Sequence, residues 1–182
     1  MPPPFTHGTC ESSFPSKLEA TQNLLDWFDQ LRPAGLDPLV WIQAQTALVE
    51  GFTNAVRHAH GPLVSPPPVK VSLGITATHL QLQIHDQGAP FKITSTWTND
   101  AKTEKASVRT NHPGGQSNGD VNPNAVGLPE LPDQDSHWGL IILGRLRRDF
   151  GWMIRYDHLP NGGNKLVMER ALACDFRTLC SI

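Results

Sequence analysis

Two polar side chains four residues apart, Glu50 and Asn54, are of types that suit phosphate chemistry. Residues at positions i and i+4 of a helix lie one above the other, so both side chains can point into one site. A carboxylate can take the proton of an attacking hydroxyl group, and an amide oxygen can ligate Mg²⁺, a hard cation that prefers oxygen. Taken alone the pair is weak evidence, because polar residues at this spacing more often form a solvated helix face.

Two further positions carry candidate chemistry. Asp86 ends an alternating strand pattern and is followed by Gly88 and Pro90. Such an Asp can accept a hydrogen bond from an exocyclic amine like that of adenine, and the glycine lets a flat ring approach the backbone. An ordinary Asp-x-Gly turn is the alternative interpretation. Gly139 opens a predicted helix, whose N-terminal N–H groups and dipole favour phosphate, although a loop-to-helix junction also tolerates glycine. No Gly-x-x-x-x-Gly-Lys-Ser/Thr motif occurs, so a P-loop is not indicated.

The periodicity predicts the elements that position these residues. Residues 1–15, rich in Pro, Ser and Thr, are predicted to be a disordered lead. A first helix should begin at Ser16, with Glu19 as its capping-box partner, and end before Pro33. A longer helix should run over residues 38–60, with Ile42 on its apolar face and Gln43, Glu50 and Asn54 on its polar face.

The second half of the chain reads as two hairpins and a helix. Strands are predicted over residues 69–75 and 80–86, a helix over 137–150, and closing strands over 152–156 and 165–172. Residues 92–136 are polar and rich in Asn, Gly and Pro, and residues 173–182 form a tail. Helices and hairpins in this order predict an α+β sandwich.

Composition narrows the class of protein. The chain has 182 residues, 38% of them hydrophobic, which suits one domain over residues 16–172. A net charge of −2 and a pI near 6.4 give no support for a nucleic-acid or membrane surface. Neither a membrane helix nor a signal peptide is evident, and three scattered cysteines predict neither a disulfide framework nor a zinc site. We therefore expect a reduced cytoplasmic protein without direct contact to nucleic acid or membrane.

The order of these motifs resembles a known superfamily. Residues 50–59 look like an N box, residues 86–91 like a first glycine box, residues 138–143 like a second glycine box, and residues 162–166 like the turn and last strand that often close the domain. Together they resemble the GHKL (Bergerat-fold) ATPases, and within them the anti-sigma-factor serine/threonine kinases and anti-sigma regulatory factors. The resemblance covers about residues 16–172. It implies a two-layer sandwich with a mixed, mostly antiparallel sheet that helices cover on one face.

The resemblance also implies roles for the matched positions. Glu50 would be the general base, Asn54 would hold Mg²⁺, Asp86 would bind the adenine amino group, and Gly88 would lie beneath the ring. Residues 92–136 would be the ATP lid. The implied cofactors are ATP and Mg²⁺, and the remaining implied cofactor-binding positions are Arg57, His58, Pro90, Phe91, Gly139 and Leu140.

The resemblance implies a kinase that phosphorylates an anti-sigma-factor antagonist protein, that can also hold a sigma factor, and that can form a homodimer. Sensor histidine kinases usually carry Asn where this chain has Glu50, and the residues given before the N-box helix show no pattern of a phosphoaccepting helix pair. His137 stands where the family usually has glycine, so its side chain is expected to crowd the phosphates or change the lid path. Two alternatives remain: a non-catalytic ATP-gated binding module and a plain ATPase.

Overall fold

The computed structural model of the chain describes residues 8–90 and 138–172. The helices are α1 (Thr21–Asp29), α2 (Pro38–Asn54) and α3 (Trp138–Phe150), with a short 3₁₀ turn at Leu18–Ala20 and a π-helical turn at Ala55–Ala59. The strands are β1 (Gly8–Phe14), β2 (Val69–Ile75), β3 (His79–Asp86), β4 (Met153–His158) and β5 (Asn164–Ala171). None of these helices combines the length and apolarity needed to cross a membrane.

The five strands form one sheet in the order β1-β2-β3-β5-β4. Every strand pairing within the described ranges is antiparallel. The pairing of β3 with β5 joins the two described parts of the chain, with Asp86 opposite Asn164 and Ile84 opposite Leu166. The helices cover one face of the sheet and bury a continuous apolar core there. The predicted α+β sandwich is thereby confirmed, and the two predicted hairpins, β2–β3 and β4–β5, are both present.

Strand β1 corrects the prediction that residues 1–15 form a disordered lead. The segment is polar, and a polar segment does not show the alternating pattern that predicts a strand. It can still form one here because β1 is an edge strand, paired only with β2 in the described sheet. Phe14, at the end of β1, is 6% exposed and makes edge-on contacts with the rings of Trp27 and Phe52. One buried aromatic residue and a full backbone ladder therefore replace the alternating apolar residues expected of a strand. Residues 1–7 lie outside the described residues.

The start of the first helical segment also differs from the prediction. No side-chain cap is present at Lys17, which precedes the 3₁₀ turn, or at Ala20, which precedes α1. The Ser16 hydroxyl, predicted as a cap, instead hydrogen-bonds with the Nδ1 atom of His60 at 2.8 Å. A buried partner distant in the sequence therefore takes the hydroxyl that local spacing assigned to the helix.

Helix α2 is the central helix of the layer and packs against α1, α3 and the sheet. Asp37 caps its first turn by accepting a hydrogen bond from the N–H of Leu39 at 2.8 Å. Two residues of α2 lie on the opposite faces from those predicted. Gln43 is buried and accepts a hydrogen bond from the indole N–H of Trp152 at 3.1 Å, whereas Ile42 is 57% exposed. The reason is that α3 and Trp152, in the link that follows it, lie on the side of α2 that carries Gln43.

The close approach of α2 to the sheet depends on Gly51. A Cβ atom at this position would lie against the Cδ1 atom of Ile84 and 2.9 Å from a Cδ2 atom of Leu166. Contacts this short are repulsive, so a side chain at residue 51 would force the ends of the Ile84 and Leu166 side chains to repack in a dense core. The absence of a side chain at this position, next to Glu50, therefore lets α2 lie close over β3 and β5.

Candidate functional site

The C-terminal end of α2 brings two predicted site residues against the start of α3. Glu50 and Asn54 are both half-buried on the same helix face. A Cβ atom at Gly139 would lie 2.7 Å from Oε2 of Glu50 and 3.0 Å from Oδ1 of Asn54. The backbone of Gly139 therefore lies directly beside the carboxylate and the amide. The structure thus brings together the candidate base, the candidate metal ligand and the candidate phosphate-binding helix start, from segments more than 80 residues apart in the sequence.

The environment of Glu50 suits a proton acceptor. Partial burial raises the pKa of the Glu50 carboxyl, and the guanidinium of Arg57 opposes that rise. A carboxylate with a raised pKa holds a transferred proton more readily than a fully solvated one. Its neighbours thus adjust Glu50 toward acid–base work, although a helix surface can produce the same shift.

Asp86 is the most completely bonded carboxylate of the site. It is 1% exposed, at the end of β3. Its Oδ1 atom accepts hydrogen bonds from the backbone N–H of Gly88 and from the side-chain amide of Asn164, both at 2.8 Å. Its Oδ2 atom accepts a hydrogen bond from the phenol of Tyr156. The bond from Gly88 is the Asp-x-Gly turn that the sequence allowed, so the turn interpretation holds as well.

Gly88 lies tightly against its neighbours in the protein. Its predicted place beneath the adenine ring would not by itself require such close packing. A Cβ atom at this position would lie 2.6 Å from Cβ and 2.7 Å from Cα of Ala59, in the π-helical turn. Gly163, whose φ is +80°, approaches the carbonyl oxygen of Asp86 from the other side. Glycines thus let the 86–88 turn lie against both the end of the helical segment and the β4–β5 turn, which fixes the direction of Asp86.

His60 joins the helical segment to this turn. The N–H of Gln87 donates to Nε2 of His60 at 2.8 Å, so the ring proton must be on Nδ1, where it is donated to the hydroxyl of Ser16. The π-helical turn makes this possible, because the N–H of His60 bonds to the carbonyl of Ala55, five residues back, at 2.8 Å. Such turns inside helices often occur at functional sites. Burial lowers the pKa of His60, against a smaller opposing effect of the Asp86 carboxylate.

Sequence reasoning missed His60, Tyr156 and Asn164 as members of the site. Asn164 is 1% exposed, and its amide nitrogen also lies 3.0 Å from the carbonyl oxygen of Ala89. Burial, and then the hydrogen bond with Asp86, raise the pKa of Tyr156. The one signal in the sequence was the resemblance of residues 162–166 to the turn and last strand that often close the domain in this family, and it gave Asn164 no role in the site.

The other predicted positions have mixed placements. Arg57 and His58 are exposed on the π-helical turn, Pro90 is exposed beyond the Asp86 turn, and Leu140 is half-buried against the core. Phe91, His137 and the predicted lid over residues 92–136 lie outside the described residues.

A separate groove lies at the opposite end of the sheet. It has a volume of about 660 Å³ and is lined by residues around the β2–β3 turn, among them Thr76 and His79, together with Glu169. His79 begins β3 and Asp86 ends it, so the length of the strand separates this groove from the site. None of the predicted site residues lines it.

The donor set can hold a nucleotide with its metal ion. The amide oxygen of Asn54 offers a ligand to a hard cation beside the helix start at Gly139. No group of three or more His, Cys, Asp or Glu side chains in residues 8–90 and 138–172 forms a metal site of its own. A divalent cation would therefore need ligands from a bound molecule, which fits Mg²⁺ carried by phosphates.

Comparison with known proteins identifies the fold independently of these contacts. The model of one protein family, described as the histidine kinase-like ATPase domain, matches residues 14–170. The match includes every predicted site residue. No curated protein matches the chain.

Proposed function

Because the chain belongs to the histidine kinase-like ATPase domain family, we propose that it binds Mg·ATP and transfers the terminal phosphoryl group to a serine or threonine of a partner protein. The phosphates would lie at the start of α3, beside Glu50 and Asn54. The adenine ring would lie near Asp86. Family membership supports the nucleotide, and the side chains of this site support the choice of reaction.

The convergence of Gly139 on Glu50 and Asn54 carries the proposal. A Cβ atom at residue 139 would clash with both polar groups, so glycine is what lets the start of α3 lie directly against Glu50 and Asn54. The N-terminal end of a helix, through its backbone N–H groups and its dipole, favours phosphate oxygens. The same few ångströms therefore hold a phosphate-binding backbone, a candidate base and a candidate metal ligand.

The proposed chemistry needs one proton transfer by the protein. The hydroxyl of the partner's serine or threonine gives its proton to the Glu50 carboxylate as its oxygen bonds to the phosphorus atom and the bond to the ADP leaving group breaks. The raised pKa of Glu50 favours that transfer. The Asn54 amide oxygen would hold Mg²⁺, which when bound neutralises charge on the phosphates. Exposed Arg57, two turns beyond Glu50, would face the phosphates or the incoming partner.

The partner class in this proposal is an anti-sigma-factor antagonist, so that phosphorylation would regulate transcription by partner switching. The resemblance of residues 50–59 and 86–91 to the anti-sigma-factor kinases supports it, as does the glutamate at position 50 where sensor histidine kinases usually have asparagine. A cytoplasmic location, a sigma-factor complex and a homodimer belong to the same proposal.

Phosphoryl transfer from radiolabelled ATP to the antagonist protein tests this function, with ADP binding measured in parallel. Glu50→Gln should retain ADP binding and lose transfer by about 10²–10⁴-fold, the usual contribution of a general base. Asp86→Asn should lose ADP binding. Thr46→Ala, one turn before Glu50 on the same helix, is the matched control and should match the wild type. Transfer at the wild-type rate in Glu50→Gln would exclude the proposed mechanism.

A non-catalytic ATP-gated binding module is the second candidate function. The histidine at position 137 favours it, since the family usually has glycine where phosphates are held. In that case ADP and ATP would still stabilise the protein, and nucleotide would change its affinity for a partner. Nucleotide binding without transfer to any serine or threonine would decide for this candidate over the kinase.

A further inference from the structure

The phenol of Tyr156 occupies the position from which the adenine ring of a nucleotide would reach Asp86. Oδ1 of Asp86 already accepts two hydrogen bonds, from Gly88 and Asn164, and is directed into the turn. An amine approaching the carboxylate must therefore use Oδ2. That oxygen accepts the hydrogen bond of Tyr156. Asp86 is only 1% exposed, so within the described residues an incoming amine would have to displace the phenol to reach Oδ2.

The strand register explains why this tyrosine reaches so far. Tyr156 on β4 lies opposite Leu166 on β5, which lies opposite Ile84 on β3. Ile84 and Leu166 both face Gly51 of α2, so this row is on the helix-covered face of the sheet. Asp86 is two residues beyond Ile84 on the same face. The Tyr156 side chain therefore crosses β5 diagonally, beside Asn164, to reach the carboxylate.

We propose that the hydroxyl of Tyr156 competes with the exocyclic amine of adenine for Oδ2 of Asp86, so that this residue sets the affinity and base selectivity of the site. The proposal rests on the proposed function, because it assumes that adenine binds at Asp86. Hydrogen bonds from a hydroxyl to a carboxylate are short and strong, so Tyr156 is an effective competitor. The apparent affinity equals the affinity of the open site multiplied by the fraction of molecules in which the tyrosine has moved aside.

Competition predicts a gain of affinity when the hydroxyl alone is removed. Tyr156→Phe keeps the ring and frees Oδ2, and it should bind ADP about tenfold more tightly than the wild type, which corresponds to about 1.4 kcal/mol. Inosine diphosphate carries a carbonyl oxygen in place of the amine, so its affinity should change less than about twofold under the same free-energy relation. Met153→Leu, at an exposed position of the same strand, is the matched control and should leave both affinities unchanged. Isothermal titration calorimetry measures all of these dissociation constants.

A second measurement needs no substitution. Tyr156 is the only tyrosine of the chain, so the full-length protein grown with 3-fluorotyrosine gives one fluorine resonance that reports on this side chain alone. Saturation with ADP should move that resonance as the phenol leaves Asp86. Inosine diphosphate should move it much less. A resonance that stays in place at saturating ADP would overturn the proposal even if Tyr156→Phe failed to fold.

The outcomes separate this inference from the proposed function. If the wild type binds ADP, Asp86→Asn does not, and Tyr156→Phe binds equally or more weakly, the competition is excluded and the proposed function stands. Equal gains for ADP and inosine diphosphate would also exclude it, because the effect would not involve the amine. If only Tyr156→Phe binds ADP, the phenol blocks the site outright, which supports the inference. If neither binds, both proposals fail.

Discussion

At the scale of single residues, the surrounding hydrogen bonds fix the protonation state of His60. It is 1% exposed, and its Nε2 atom must stay unprotonated to accept the N–H of Gln87. The Asp86 carboxylate lies close enough to oppose the effect of burial, but burial dominates and lowers the pKa. Folding therefore favours neutral His60 over the imidazolium ion, and the 86–88 turn depends on that choice.

The pH dependence of stability follows with a definite sign. In the unfolded chain His60 has a pKa near 6.5, and in the folded chain the pKa is lower. Its stabilising contribution is thus fully present above pH 6.5 and is lost as the pH falls from 6.5 through the folded-state pKa. His60→Gln should cost about 1–3 kcal/mol at pH 7.5, where it disturbs buried hydrogen bonds. The gap between the two proteins should narrow toward pH 5.5, as measured by urea unfolding.

The matched control for this experiment is His79→Gln, which alters an exposed histidine at the start of β3. It should keep the full acid sensitivity of the wild type. His85→Gln is informative as well, because burial, assisted by Lys165, lowers the pKa of His85 and predicts a loss of stability over the same acidic range. An unchanged gap between the wild type and His60→Gln from pH 7.5 to 5.5 would contradict the assigned role of His60.

Sequence patterns predicted the residues whose chemistry is local and missed those whose partners are distant. Glu50 and Asn54 were found because helical spacing places them on one face, and Asp86 and Gly88 because they form a turn. Tyr156 reaches Asp86 across 70 residues of sequence, and no spacing rule connects them. The same applies to His60, whose partners come from two other segments.

At the scale of elements, the distance between α2 and the sheet controls the site. Gly51 sits one residue after Glu50 and faces Ile84 and Leu166 without a side chain. Because α2 also carries Asn54 and runs into the π-helical turn, a small displacement of this helix would move the candidate base, the metal ligand and His60 together.

Gly51→Ala should destabilise the protein although alanine is the better helix former. Alanine gains about 1 kcal/mol in helix propensity, while overpacking a dense core costs about 1–3 kcal/mol. We expect a net loss of about 1 kcal/mol by chemical denaturation. Shortening the facing side chain by Ile84→Val removes the contacting Cδ1 atom and itself costs about 0.5–1.5 kcal/mol.

The double variant decides whether the contact is the cause. If the new Cβ atom clashes with Ile84, Gly51→Ala combined with Ile84→Val should lose less stability than the sum of the single variants. Simple additivity would mean that the clash with Ile84 is not what Gly51 avoids.

Element positions were easier to predict than element partners. The hairpins and helices follow from periodicity, which each segment carries within itself. Strand β1 was missed because an edge strand needs few apolar residues once its backbone is paired with β2 and Phe14 is buried. The buried position of Gln43 was missed for a related reason, since only the arrival of Trp152 provides the donor that makes burial favourable.

At the scale of the whole molecule, the order β1-β2-β3-β5-β4 places the two described parts of the chain side by side. Residues 8–90 provide three strands and two helices, and residues 138–172 provide α3 and the other two strands. Eight residue pairs of β3 and β5 join them, from His79 with Ala171 to Asp86 with Asn164. Buried side chains from both parts, such as Phe52, Leu143 and Met168, fill one core.

Because the two parts share one sheet and one core, we expect them to hold together without the peptide bonds between residues 90 and 138. Two separately encoded pieces, residues 1–110 and 111–182, should reassociate when expressed in the same cell, and a tag on one should copurify the other. Met168→Asp would bury a charge at the shared boundary and should abolish copurification. If the two pieces of the wild-type sequence were expressed together and only the tagged one were recovered, this expectation would be contradicted. With reassembly, the fold becomes a two-piece protein in which neither piece carries the site alone, because Glu50 and Gly139 belong to different pieces.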